Sequence, residues 1–195
     1  MKTPNRDAAL RIMGQRPNRE RALALMADST CRVTIRGEIN EGMARYVKQQ
    51  LAARPHAGTL EVTIDSPGGD IPSAFAIFDA IHGHSAATKI TIAETECSSA
   101  AMLVFAAGDV RRMSADCNAL LHLAALEPDA SRGRWTARRY DNAAKRLATI
   151  DTGVAATISS RCGCDTENVL REMQTERATP VSRLKALAIV TEILP

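Results

Sequence analysis

The run Thr63-Ile64-Asp65-Ser66-Pro67-Gly68-Gly69-Asp70, echoed further along by Glu96-Cys97-Ser98-Ser99-Ala100-Ala101, limits what this chain can become. In the first stretch a β-patterned apolar run is stopped by Ser-Pro-Gly-Gly and passes at once into a helix-patterned segment. In the second, the strand-like Thr88 to Ala93 reaches a turn of small polar residues and then the apolar, helix-like Ala100 to Ala107. Two strand–turn–helix units in tandem place two loops and two helix N-termini side by side at one edge of a sheet. Free backbone N–H groups and the helix dipole favour negative charge there, so the arrangement suits a developing oxyanion.

The flanking segments repeat the same grammar. Cys31 to Gly37 alternates polar and apolar and reads as a strand; Asn40 is placed to cap a helix whose Met43, Val47 and Leu51 form one buried stripe. Leu60 to Ile64 is the next strand and Pro72 to His82 the next helix. Val110 to Met113 and Ala119 to Leu123 read as short strands. Repeated β–α units with short connections predict a largely parallel sheet with right-handed crossovers. From Trp135 to Ser160, Tyr140, Ala144, Leu147, Ile150, Val154 and Ile158 recur at helical steps, predicting one long helix broken at Gly163. Thr166 to Gln174 comes next as a helix capped by Asp165 or Thr166. The tail from Val181 to Leu194 begins with Ser182 as a cap. Residues 1–18 form a basic arm, Arg19 to Met26 a short helix, and residues 19–195 one domain, with Glu127 to Gly133 as its exposed loop.

Composition narrows the function classes. Aromatics make up 3% of the 195 residues, so the core is aliphatic and base-stacking nucleic-acid modules are disfavoured. The net charge of +3 is small, and its arginine clusters read as solvated faces rather than a nucleic-acid surface. Five scattered cysteines are an odd number with no zinc spacing; they are expected to be reduced thiols of a cytoplasmic protein that needs neither metal nor cofactor. No stretch has the length of a membrane span, and Met1 to Arg21 has no apolar signal core.

Three motifs in register then resemble the Clp protease proteolytic subunit (ClpP) family. They are Ile64-Asp65-Ser66-Pro67-Gly68-Gly69, the serine turn running on to Leu103-Val104-Phe105-Ala106-Ala107-Gly108, and Asn118-Ala119-Leu120-Leu121-His122. The segment Cys164 to Leu170, with Thr175-Glu176-Arg177, is similar to the stretch after that family's handle helix. The likeness runs from about Arg21 to Thr191. It implies an α/β ClpP/crotonase-like fold, a spiral of β–β–α and β–α units with a protruding handle helix at about 134–160. It also implies a serine peptidase working on peptides or unfolded proteins in stacked homo-oligomeric rings, fed by an ATP-dependent unfoldase.

By that resemblance the nucleophile falls on Ser99, with Ser98 as fallback. The base falls on His122, whose imidazole is of the type that titrates near neutrality. The oxyanion donors fall on the backbone N–H groups of Gly68 and Ala100. Two departures stand out. Ala100-Ala101 replaces the family's Met-Gly, and the triad aspartate position falls on Ala178, which cannot orient an imidazole. Thr179, Glu176, Asp165 or a backbone carbonyl are the substitutes the sequence offers. The competing reading is a catalytically impaired paralogue with an assembly role. A crotonase-like acyl-CoA enzyme has only Glu94 and Glu96 near the turns, and a Ser–Lys peptidase has only Lys89, inside a strand.

Overall fold

A computed structural model describes residues 29–126 and 134–195. The expected N-terminal arm, the Arg19 to Met26 helix and the Glu127 to Gly133 loop lie outside these residues. The elements are β1 (Thr30–Arg36), α1 (Glu41–Ala52), β2 (Thr59–Ser66), α2 (Ile71–His82), β3 (Thr88–Ser98), α3 (Ala100–Phe105), β4 (Val110–Ser114), β5 (Asn118–Leu120), α4 (Ala137–Cys162), α5 (Thr166–Met173), α6 (Val181–Ala186) and β6 (Glu192–Leu194). The sheet runs β1-β2-β3-β4-β6, with β5 paired to the end of β3, and every pairing is parallel. This is the largely parallel α/β sheet expected from the tandem units.

The caps fall where side chains can accept the orphan N–H groups of a first turn. Asn40 accepts from Met43 N–H at 3.0 Å, Asp70 from Ser73 N–H at 2.8 Å, and Asp165 from Asn168 N–H at 3.0 Å. Ser182, expected as a cap, instead lies inside α6, which starts at Val181 with Pro180 before it. Pro180 occupies the cap position and makes no side-chain cap hydrogen bond.

The largest difference from the sequence reading concerns β3. It continues through Glu94 to Ser98, which composition alone presents as a turn. The register explains why: Ile64 faces Ala93, yet Ser66 faces Cys97, so β3 takes four residues where β2 takes two. The irregularity leaves Glu94 and Thr95 exposed and delivers Glu96 to Ser98 to a new partner, β5. The turn shrinks to one residue, Ser99. Beyond it α3 is apolar on all sides and buried throughout.

The long helix starts later than its periodicity suggests. Thr136 caps it, and Gly163, at φ 70, ends it in the left-handed conformation glycine favours. Its apolar stripe divides in two. Val154, Ala155 and Ile158 are buried within this chain. Tyr140 and Ala144 stay exposed, and Leu147 and Ile150 are half-buried. One face of the C-terminal half of α4 is therefore core, and the N-terminal half is largely exposed.

The segment after α6 has no regular structure, so its carbonyls need partners. Arg111 supplies them. Its guanidinium is buried and donates to Ile189 O at 2.7 Å, Ala188 O at 3.0 Å and Gly108 O at 2.8 Å. Its own N–H donates to Thr191 Oγ1 at 2.7 Å. Arg111→Met fills the volume but leaves those carbonyls unpaired. The expected loss is about 3 kcal/mol of stability, read from the urea midpoint at unchanged slope.

Candidate active site

Ser99 joins β3 to α3 with φ 58 and ψ −127. A non-glycine residue in such a conformation costs about 1–3 kcal/mol and persists only where its surroundings hold it. Here Ser99 N–H donates to Leu120 O at 2.7 Å and its carbonyl accepts from Met102 N–H at 3.0 Å. The β3–β5 pairing before it and the buried α3 after it fix both ends. Ser98, the fallback, points elsewhere: it is buried, and its hydroxyl donates to Asn118 O at 3.5 Å.

His122 lies two residues beyond β5 rather than inside a strand, and it is half-buried. Ser99 and His122 line one small cavity of about 20 Å³, together with Ile71, Ala100, Leu121, Ala124, Asp151, Val154 and Met173. No hydrogen bond joins the Ser99 hydroxyl to the imidazole among the described residues.

The glycine loop abuts this turn. Gly68 has φ 100, and a Cβ there would stand 2.6 Å from Ser99 Cβ and 2.9 Å from Ala100 N. Only glycine allows this approach. Ala100 N–H, at the first position of α3, makes no hydrogen bond among the described residues. Gly68 N–H, expected as the second oxyanion donor, instead donates to the buried Ser66 Oγ at 3.1 Å. To serve an oxyanion it must leave or share that hydroxyl.

A groove of about 710 Å³ adjoins the small cavity through Ile71 and Ala124. Gly69 to Pro72 form one wall, Ala124 to Leu126 another, and Leu147, Ile150, Arg139 and Arg146 of α4 the floor.

The residues named as substitutes for the missing acid lie elsewhere or are committed. Ala178 is exposed and lines a separate cavity with Asn118 and Pro180. Asp165 caps α5, and Glu176 is exposed. Thr179 Oγ1 accepts from Leu121 N–H at 3.4 Å, while its own N–H donates to Ala119 O at 2.7 Å, which ties the tail to β5. What the sequence reading missed is Asp151. It is a buried carboxylate on α4, and its Oδ1 accepts from Ala124 N–H at 2.6 Å. The available signal was a carboxylate on the apolar stripe of an amphipathic helix, between Leu147 and Val154.

The remaining groups offer little alternative chemistry. All five cysteines are free. Burial pushes the Cys97 thiol well above its ordinary value and raises Cys117 to about 11, so neither forms a competing thiolate near neutrality. Among the described residues no cluster of His, Cys, Asp or Glu could hold a metal ion, and no helix is long and apolar enough to cross a membrane. His56 and His82 are exposed. His84 is half-buried and joins two loops through Arg54 O and Ala86 N–H.

The family model for Clp protease matches residues 17–195. The chain belongs to the Clp protease family. Among solved structures, a ClpP1 mutant from Listeria monocytogenes superposes with a TM-score of 0.70 at 21% identity, covering 88% of this chain and 94% of its own. The ClpP protease catalytic domain from Plasmodium falciparum gives 0.67 at 17% identity, covering 100% and 94%. These likenesses establish the ClpP fold. No curated protein sequence matches the chain. Family membership places it among proteases, and the parallel sheet and repeated units are those of a ClpP-type α/β domain.

Proposed function

We propose that this chain is a serine endopeptidase that cleaves extended or unfolded polypeptides inside a cytoplasmic homo-oligomeric chamber. The observation that carries the reading is the strained Ser99 on the same cavity as His122, directly against a glycine that permits close approach. Ser99 Oγ attacks the scissile carbonyl while His122 takes its proton. The carbonyl oxygen becomes an oxyanion at the N–H of Ala100, joined by that of Gly68 once Ser66 Oγ yields it. The imidazolium then protonates the departing amine, and water releases the acyl group by the same steps in reverse. The projecting half of α4, with exposed Tyr140, is the surface that would meet a second copy, and an ATP-dependent unfoldase would supply unfolded chains.

The competing reading, an impaired paralogue used for assembly, has its own support: alanine at 178 and the engaged Gly68 N–H. A fluorophosphonate probe separates the two. Labelling of the wild-type chain that maps to Ser99, and disappears in Ser99→Ala and His122→Ala but not in Ser98→Ala, is the expected result. A folded oligomer that takes up no label sinks the peptidase and leaves the scaffold.

A further inference from the structure

We infer that Asp151, reaching in from the handle helix, orients His122 and so fills the role that alanine at 178 cannot. This rests on the proposed Ser99–His122 pair. Asp151 sits on the core-facing stripe of α4 with 8% of its surface exposed. A carboxylate on such a face is costly unless something there uses its charge. One oxygen, Oδ1, is satisfied by Ala124 N–H. The other makes no hydrogen bond among the described residues, yet no buried side-chain oxygen is left sealed off without a partner. The cavity that Asp151 helps to line is the one shared with Ser99 and His122.

The distances are short by construction. Ala124 is two residues from His122, and two residues of chain span at most about 7 Å. A carboxylate held at Ala124 N–H is therefore within side-chain reach of an imidazole at position 122. Among the residues lining the cavity, His122 and Asp151 are the only acid–base pair. The charged groups of the adjoining groove are Asp70, which accepts from Ser73 N–H, and Arg139 and Arg146 on its floor. Glu172, the remaining buried carboxylate, is paired with Arg183 at 2.9 Å. The imidazole has no hydrogen bond holding it among the described residues, so its ring is free to turn until Nδ1–H meets Asp151 and Nε2 faces Ser99.

A purely structural role makes a different prediction from a positioning one. If Asp151 only caps Ala124 N–H, an amide oxygen serves equally well and Asp151→Asn is silent. If it orients His122, Asp151→Asn keeps the cap and the fold but presents the ring with an amide. The experiment combines turnover of an unstructured fluorogenic peptide with NMR of isotope-labelled His122, read for the tautomer of its ring in the full chain. For Asp151→Asn the expected result is a kcat about 10³–10⁴-fold lower with KM within about threefold. The expected neutral ring is the Nδ1–H tautomer in the wild-type chain, and Asp151→Asn is expected to lose that preference. Turnover within about threefold of wild type together with an unchanged tautomer overturns the inference. If Asp151→Asn fails to fold, the wild-type tautomer decides, and an Nε2–H ring overturns it. An Nδ1–H ring that depends on Asp151 in a chain with no Ser99-dependent turnover keeps the pairing and removes the peptidase.

Discussion

Ser99→Ala is expected to lower peptide turnover by about 10⁴–10⁶-fold, and adding His122→Ala is expected to cost almost nothing more. In the proposed mechanism the two side chains act in one step: the hydroxyl is a weak nucleophile without the base, and the base has no proton to take without the hydroxyl. Their losses therefore do not add. Ser98→Ala, one residue away, is expected to stay within about threefold of wild type, since its hydroxyl faces Asn118 O. Stability separates chemistry from strain. Alanine at 99 keeps φ 58 and its cost, whereas Ser99→Gly relieves it and is expected to raise stability by about 1 kcal/mol while abolishing activity. Steady-state kinetics with chemical denaturation of the same variants reads both. An additive double variant, or Ser98→Ala as damaging as Ser99→Ala, would remove Ser99 as the nucleophile.

Gly68→Ala is expected to be the next most damaging change, reducing turnover by at least about 10³-fold. The added Cβ meets Ser99 Cβ at 2.6 Å, Ser98 O at 2.7 Å and Ala100 N at 2.9 Å, and φ is +100. Two of those three atoms are backbone, so no rotamer relieves the contact. Relief requires the glycine loop and the serine turn to separate, which moves the Ala100 N–H away from the carbonyl it must polarise. A methyl group left in place would also stand in front of that N–H. Either way kcat falls more than KM rises, because the lost interaction forms in the transition state. Gly69→Ala differs in kind. Its Cβ runs into Ile39 O, where Ile39 bridges to Gly69, so it is expected to weaken folding first. Circular dichroism melts of the two variants beside their kinetics would distinguish them. A Gly68→Ala enzyme with near-normal kcat would show that Gly68 is not next to the reacting carbonyl.

The site was legible in the sequence as far as local chemistry reaches. Turn residues leading into a helix pattern marked the Gly68 loop and the Ser99 turn. The candidate base, His122, came from the family resemblance and not from local chemistry. The one-residue choice between Ser98 and Ser99 came from motif spacing, and the backbone gives it a physical basis: only Ser99 takes the strained turn while Ser98 still pairs as strand. The Glu94 to Ser98 stretch was misread because polar composition resembles a turn, although here it is a strand displaced by an irregularity and rescued by a second partner.

By itself the sequence determined the order of most elements, the parallel sheet, the cap at Asn40, a choice of Asp165 or Thr166 for the helix after Gly163, and the small residues that let the Gly68 loop and the Ser99 turn touch. These depend on periodicity and on single-residue backbone preferences, which are local. Only the tertiary structure decided which carboxylate stands beside the Ser99–His122 cavity, that Gly68 N–H rests on Ser66 Oγ, and how much of the long helix is core. Periodicity shows that Asp151 shares a face with Leu147 and Val154, but not what that face packs against. That is set by how a helix from the C-terminal third closes over the loop after β5.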